Sequence, residues 1–435
     1  MTERVGLIRA VGIWGLVAFC INAVVGSGVY LLPGETFKLL GPFSLWAPLL
    51  FAIPVFILAL CFAEAASHFD EPGGAYLYTR EAFGDFVGFE TGWMNTIARI
   101  TSLASLANGF VLSLARLFPE TGEGATRAVL ITLSLLVFGV LHAIGIRLGA
   151  RTIYVFTFGK LVPLIIFVIV AIAAWRINPI PISFDLPQGD VNWGNAALFL
   201  LFAYAGFENV GIPAGEYRNP RRDLPLALLM GMLAIAAVYS LVQLAAMSAM
   251  GNLSETQTPI ADAAAVIMGP AGVTLITIGA IISILGTNMG TTLEASRMIF
   301  ALTRDRKPFR ALGYIHPKTR TPVWSIFLLV ALAIPVAVAG TFATLALLSA
   351  GARLTTYLFT AAAVPRLRKL GQGFVSPGGL LVPILGVLVS LYLMLQLNPK
   401  QLMALGIALL IGAAIYGVSV VAGGRVDDSA APASD

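Results

Sequence analysis

The chain has 435 residues, 58% of them hydrophobic and only 11% charged, with a formal net charge of +5 and a mean hydropathy of +0.88. Ordinary globular domains carry roughly 25% charged residues, so this composition excludes a water-soluble fold and makes the lipid bilayer the surrounding medium. In a soluble protein the basic balance would suggest nucleic acid; here it reads as Lys and Arg in cytoplasmic loops, and no nucleic-acid partner is expected.

About twelve runs reach the roughly 20 apolar residues that a bilayer requires. Their approximate limits are 11–32, 43–66, 87–117, 126–146, 152–175, 194–215, 224–250, 271–302, 322–341, 343–365, 378–396 and 401–422. The predicted fold is thus an all-α integral membrane protein. Met1 to Arg9 leads into the first run with no small-residue cleavage pattern after it, so a cleavable signal is not expected.

The first span holds the most informative segment, Asn22-Ala23-Val24-Val25-Gly26-Ser27-Gly28-Val29-Tyr30. Glycine weakens a helix interior by about 1 kcal/mol relative to alanine, and lipid penalises every unpaired backbone group. A helix broken at mid-membrane points to use of the freed N–H and C=O groups, as in transporters with discontinuous helices. In span five, Lys160 lies in Phe158-Gly159-Lys160-Leu161-Val162-Pro163. Such a lysine either faces a polar cavity or snorkels to the interface.

Span six carries a second interruption, Phe202-Ala203-Tyr204-Ala205-Gly206-Phe207-Glu208-Asn209-Val210-Gly211-Ile212-Pro213, with Glu208 near the middle. Paired interruptions in two halves point to an inverted repeat with a binding site between them; close helix packing through glycine is the alternative. In span eight, Glu294 and Arg297 stand three apart, the spacing of a pair that satisfies itself on one helix face. Arg99 and Arg353 each need an acidic partner or a substrate carboxylate, and Glu208 is one candidate. After span twelve, residues 423–435 form an Ala- and Ser-rich acidic tail, expected to be disordered.

With an even number of spans both termini share one side. The loops of that side carry about 18 basic residues, against 5 on the other, so the positive-inside rule makes both termini cytoplasmic in a multi-pass protein of the cell membrane. Cys20 and Cys61 lie far apart, and His68, His142 and His316 are scattered. They offer no disulfide framework, metal spacing or nucleophile–base set, so neither an enzyme nor a cofactor or metal site is expected. A channel should show a continuous polar filter or charge ring, and a sensor should add a soluble output domain; neither pattern is present in the sequence.

Four segments together resemble the amino acid–polyamine–organocation transporters, which share the leucine-transporter fold. They are Val25-Gly-Ser-Gly-Val-Tyr30, Glu71-Pro-Gly-Gly-Ala-Tyr76, Phe202-Ala-Tyr-Ala-Gly-Phe-Glu208 and Gly215-Glu-Tyr-Arg-Asn-Pro-Arg-Arg-Asp-Leu-Pro225. The resemblance implies ten core helices in two inverted halves, residues 1–175 (spans one to five) and 176–365 (spans six to ten). Residues 366–422 would be peripheral spans eleven and twelve.

It further implies amino acid transport by alternating access, with spans 1, 2, 6 and 7 moving against spans 3, 4, 8 and 9. Gly26, Ser27 and Gly28 would bind the substrate carboxylate at a helix N-terminus. The carbonyls of Val24, Phe202 and Ala205, beside Gly206, would bind its ammonium group. Phe202 would close over the substrate as an aromatic gate, unless it is a packing residue. Lys160 would replace the sodium ion that bridges spans one and eight, giving sodium-independent exchange or proton coupling. Glu208 would take part in gating. The arginine–agmatine exchangers place an aromatic in span eight where this chain has Thr291, so that exchange is not expected. A neutral amino acid is the simplest substrate, and a polyamine or organic-cation antiporter is the alternative. The sequence names neither the amino acid nor the oligomeric state.

Overall fold

The computed structural model describes residues 12–69, 73–145, 150–177, 179, 191–209, 220–304, 306–371 and 373–422. Within them the chain is helical. Helix α1 (Ile13–Val24) stops where Val25 turns extended, with φ −70° and ψ 101°. Helix α2 (Gly28–Leu40) restarts after Ser27, and the pair bends by 53° at the Gly26-Ser27 interruption. The first span is therefore broken where its glycines stand, but it runs past the predicted limit at residue 32.

Helix α3 (Ala47–Ala66) follows, then the short α4 (Gly74–Phe83) and the long α5 (Asp85–Ala115). Only glycine suits the turns that bound α4, because Gly74 and Gly84 have φ of 55° and 93°. Its mixed polarity hid it from a search for apolar runs. The chain continues through α6 (Gly124–Ala143), α7 (Ala150–Ile177) and α8 (Trp193–Tyr204). Helix α8 ends at Ala205, which is extended, and Gly206 follows with φ 126°. A single 3-10 turn covers Phe207–Asn209. The span predicted over 194–215 is thus interrupted at Ala205-Gly206; its remainder, with Gly211 and Pro213, lies outside the described residues, as do Glu71 and Pro72 and residues 215–219 of the segment 215–225.

Helices α9 (Pro220–Met250), α10 (Pro259–Thr303), α11 (Val323–Ala339), α12 (Phe342–Leu367), α13 (Leu381–Leu395) and α14 (Pro399–Val421) complete the chain. In α10, Gly269 (φ 62°) precedes Pro270 and makes a kink. The arm before it, residues 259–268, was not among the predicted spans; the arm after it is predicted span eight.

Among the described residues, eight helices are long and apolar enough to cross a membrane, and the bent α1–α2 pair makes a ninth. Helices α11 and α13 are apolar but shorter, at 17 and 15 residues. Leu395, Leu410 and Val421 stand 72–89% exposed, an arrangement that lipid permits and water penalises. Helix α5 lies at the centre, against α10, α11, α12 and α14. Buried hydroxyls and amides tie it to neighbours: Ser105 donates to the Phe342 carbonyl and Asn108 to that of Ala337, both at 2.8 Å. Such bonds satisfy polar groups that lipid cannot. Ion pairs mark the two ends of the bundle, Arg306–Asp85 at one and Arg116–Asp262 at the other, each at 2.8 Å.

Candidate functional site

A cavity of about 650 Å³ lies between the two helix breaks and the facing walls of α5 and α10. Its deep part is walled by Ser27, Phe202, Arg99 and Arg353, all under a tenth exposed. Its other end reaches the exposed Arg304, Ile315 and Arg320. The two ends differ because aromatic packing shuts one of them: Phe202 meets Phe342 edge to face, with ring centroids 6.1 Å apart. Gly109 allows Leu31 and Phe342 to come together there; a Cβ on it would meet them at 3.1 and 3.3 Å.

The first break exposes donors to this cavity. Among the described residues, no acceptor bonds the backbone N–H groups of Gly26, Ser27, Gly28 or Val29, whereas Tyr30 and Leu31 donate back to the Ser27 carbonyl. The Ser27 hydroxyl is buried with no partner there either. These groups form the N-terminus of α2, whose dipole end favours an anion. The carbonyls of the other half-helix are provided for. Buried Lys160 donates from its ammonium group to the carbonyls of Asn22 (3.0 Å) and Val25 (2.7 Å). Ser283 of α10 donates to the carbonyls of Val25 (3.3 Å) and Gly26 (3.0 Å). The Tyr30 hydroxyl fixes Lys160 in turn by donating to its backbone carbonyl at 2.6 Å.

The second break is held by side-chain charge. Glu208 accepts from the Gly206 N–H (2.8 Å), from the Tyr357 hydroxyl (3.2 Å) and from Arg353 of α12. Asn209 accepts from Arg99, which also bonds Glu294 of α10 and, at 2.9 Å, Asn95 of its own helix. The two breaks touch at Gly206: a Cβ there would lie 2.4 Å from the Ala23 carbonyl oxygen. No larger residue fits that crossing.

Comparison with known proteins decides the family. The family model described as amino acid permease matches residues 11–421. The chain belongs to the amino acid permease family. The serine/threonine exchanger SteT of Bacillus subtilis is 30% identical to this permease over 95% of this chain and 96% of its own length. The branched-chain amino acid permease BcaP of the same organism is 25% identical over 94% and 92%. The permease is thus a transporter of amino acids, as the four segments led us to expect.

Eight of the residues singled out in the sequence, Val24, Gly26, Ser27, Gly28, Phe202, Ala205, Gly206 and Thr291, line this one cavity. Lys160 and Glu208 lie behind its wall, each spanning a break. Lys160 is fully buried, which rules out snorkelling. Of the three expected ammonium-binding carbonyls, that of Phe202 already accepts the Ala205 N–H at 3.2 Å, and that of Val24 lies 3.5 Å from the Tyr239 hydroxyl, which donates to the Ala203 carbonyl at 2.9 Å. A carbonyl keeps a second lone pair, so neither is used up.

The expected Glu294–Arg297 pair is not formed. Glu294 faces α5 and takes Arg99, while Arg297 is exposed and donates to the Leu293 carbonyl at 3.3 Å. Burial decides this, because Arg99 has no water and needs the carboxylate more. Glu208 pairs with Arg353 and not with Arg99. Asn22, Ser102, Asn209, Tyr239 and Ser283 escaped the sequence reading. Ser283, Thr287 and Thr291 recur every four residues, a polar stripe on an apolar helix that could have been found.

Proposed function

We propose that this permease exchanges neutral amino acids across the cytoplasmic membrane by alternating access, without sodium. The observation that carries this is the first break: free N–H donors and a buried hydroxyl on the cavity side, and a lysine where a cation is needed behind it. The substrate carboxylate binds the N–H groups of Gly26 to Gly28 and the Ser27 hydroxyl. Its ammonium group takes the carbonyls of Val24, Phe202 and Ala205, beside Gly206. Recognition of the amino acid backbone leaves the side chain against Thr291 and the wall of α5.

Phe202 is the gate on the closed side. The open end, by Arg304 and Arg320, is cytoplasmic on the loop-charge reading, as are both termini. The spans number twelve, with two inverted halves of five and α13 and α14 outside them; α1–α2 is span one and α8 begins span six. Lys160 of α7, which is span five, holds span one through the Asn22 and Val25 carbonyls and shares the latter with Ser283 of span eight. Glu208 keeps the second break in register.

A neutral side chain suits the charge balance. Arg99 and Arg353 are each matched by one glutamate, so a cationic substrate side chain finds no unpaired carboxylate among the described residues of the cavity wall. Burying an unpaired charge is costly, which disfavours the polyamine or organic-cation antiporter. SteT is named for serine and threonine and BcaP for branched-chain amino acids; both classes are neutral.

The test is uptake of labelled serine, threonine and branched-chain amino acids into proteoliposomes, with and without unlabelled amino acid inside. Trans-stimulated uptake that is unchanged when choline replaces sodium is expected. A strict sodium requirement, or uptake indifferent to internal amino acid, overturns the exchange reading.

A further inference from the structure

Two arginines reach the second break, and they do not hold it in the same way. Arg353 pairs with a residue whose carboxylate is also tied to Gly206 and Tyr357. The Glu208 carboxylate is thereby satisfied, while the buried Nε of Arg353 has no partner among the described residues. Arg99 is different. Like Arg353 it is buried on the cavity wall, but all three of its guanidinium nitrogens have side-chain acceptors. Its Nε is fixed by Asn95 on α5 and one terminal nitrogen by Glu294 on α10. The remaining nitrogen donates to the side-chain oxygen of Asn209, which accepts from no other donor among the described residues. Asn209 in turn belongs to the turn that starts at Gly206, since its N–H donates to the Gly206 carbonyl at 3.1 Å.

We propose that Arg99 is a positioning residue for transport, and that its bond to Asn209 is the contact that holds the second break in the geometry open toward Arg304 and Arg320. The inference rests on the alternating-access reading above. Helices α5 and α10 are spans three and eight, on one side of the moving boundary, and the second break is in span six, on the other. The Arg99–Asn209 bond crosses that boundary at the cavity wall. Its acceptor is a neutral amide. A neutral acceptor gives a weaker bond than a carboxylate would, so this contact is more readily released and remade than the Arg353–Glu208 ion pair. A ligand or mutation shifts such an equilibrium only through a contact that differs between the two states.

Asparagine at this position predicts opposite outcomes for two substitutions. Asn209→Asp turns the amide into a carboxylate facing Arg99 and strengthens the bond. Asn209→Ala removes it. Arg99→Lys keeps a charge for Glu294 but loses the planar fork, so it should act like Asn209→Ala.

The readout is the accessibility of a single cysteine, Ser102→Cys, on the cavity wall, with Cys20 and Cys61 replaced by serine. A membrane-impermeant methanethiosulfonate is applied to each face of the membrane in turn, in right-side-out and inverted vesicles and without substrate. We expect Asn209→Asp to raise the ratio of labelling from the Arg304 face to labelling from the opposite face by about threefold or more. Asn209→Ala and Arg99→Lys should lower it by a similar factor, as population shifts of that size require only a small differential free energy. A merely structural role loosens the protein in every variant and moves the ratio in one direction. Ratios that all move the same way, or stay at the value of the Ser102→Cys parent, overturn the proposal. Because no amino acid is needed, this outcome is separate from that of the exchange assay, on which the functional reading stands or falls.

Discussion

The two helix breaks solve the same problem by opposite means. At the first, the exposed carbonyls of α1 are capped by Lys160 and Ser283, and the N–H groups of α2 are left free. At the second, the N–H of Gly206 is capped by Glu208, whose charge is matched by Arg353. One break leaves its N–H donors facing the cavity; at the other the Gly206 N–H is taken by Glu208 within the protein. The first is therefore suited to bind an anion and the second to hold a shape. Asymmetry of this kind is what a site for a zwitterion between two discontinuous helices requires.

The comparison can be broken most forcefully at the second site. Arg353→Ala leaves Glu208 buried and unmatched, and removal of one partner of a buried pair costs about 3–5 kcal/mol. We expect a large loss of thermal stability in detergent and little folded protein. Glu208→Gln, tested with Arg353→Met, should recover much of it, because the uncompensated charge is gone. If Arg353→Ala is as stable as the parent, the second break is not held by charge.

Next in size is Gly206→Ala. The residue has φ 126° and its Cβ would meet the Ala23 carbonyl oxygen at 2.4 Å, so both strain and collision oppose the substitution. Transport should be abolished and the two breaks forced apart. Retention of half the parental exchange rate would mean that the crossing of the breaks has no part in the site.

Lys160→Ala tests the first break. It leaves the Asn22 carbonyl without its donor, at about 1–3 kcal/mol, and the Val25 carbonyl with Ser283 alone. Exchange should slow by roughly 10-fold to 100-fold, since 1.36 kcal/mol is a factor of ten in rate. Equilibrium binding measured by isothermal calorimetry should fall much less, because Lys160 lies behind the cavity wall and not in it. A parental exchange rate would show that Ser283 alone suffices.

The smallest effect sharpens the contrast. Ser27→Ala removes a buried hydroxyl that has no protein partner, so stability should be unchanged. The apparent Km for substrate should rise several-fold, on the order of 1 kcal/mol for one hydrogen bond. An unchanged Km would place the substrate carboxylate elsewhere. Gly28→Val is a poorer probe of the same donors, because a Cβ at residue 28 already meets the Ala203 backbone at 2.9 Å; Gly26→Ala, which meets only the Thr287 side chain at 3.3 Å, separates ligand binding from helix packing.

The sequence by itself determined that the chain lies in a membrane and that its helices break at Gly26-Ser27 and at Ala205-Gly206. Composition, run length and glycine are local properties, and lipid penalises each unpaired group wherever the rest of the chain goes. It also pointed to Lys160, because a lone charge in an apolar run demands a partner. Only the tertiary structure decided the partners. The spacing of Glu294 and Arg297 suggested a pair on one helix, but the fully enclosed Arg99 on α5 took the glutamate, and Arg297 was left at the exposed end of the cavity. Glu208 was a candidate for Arg99 and Arg353 alike; only packing gave it to Arg353, 145 residues away, and made Asn209 the link to Arg99. Such choices follow from which charges lose their water together, and that depends on how helices distant in sequence pack.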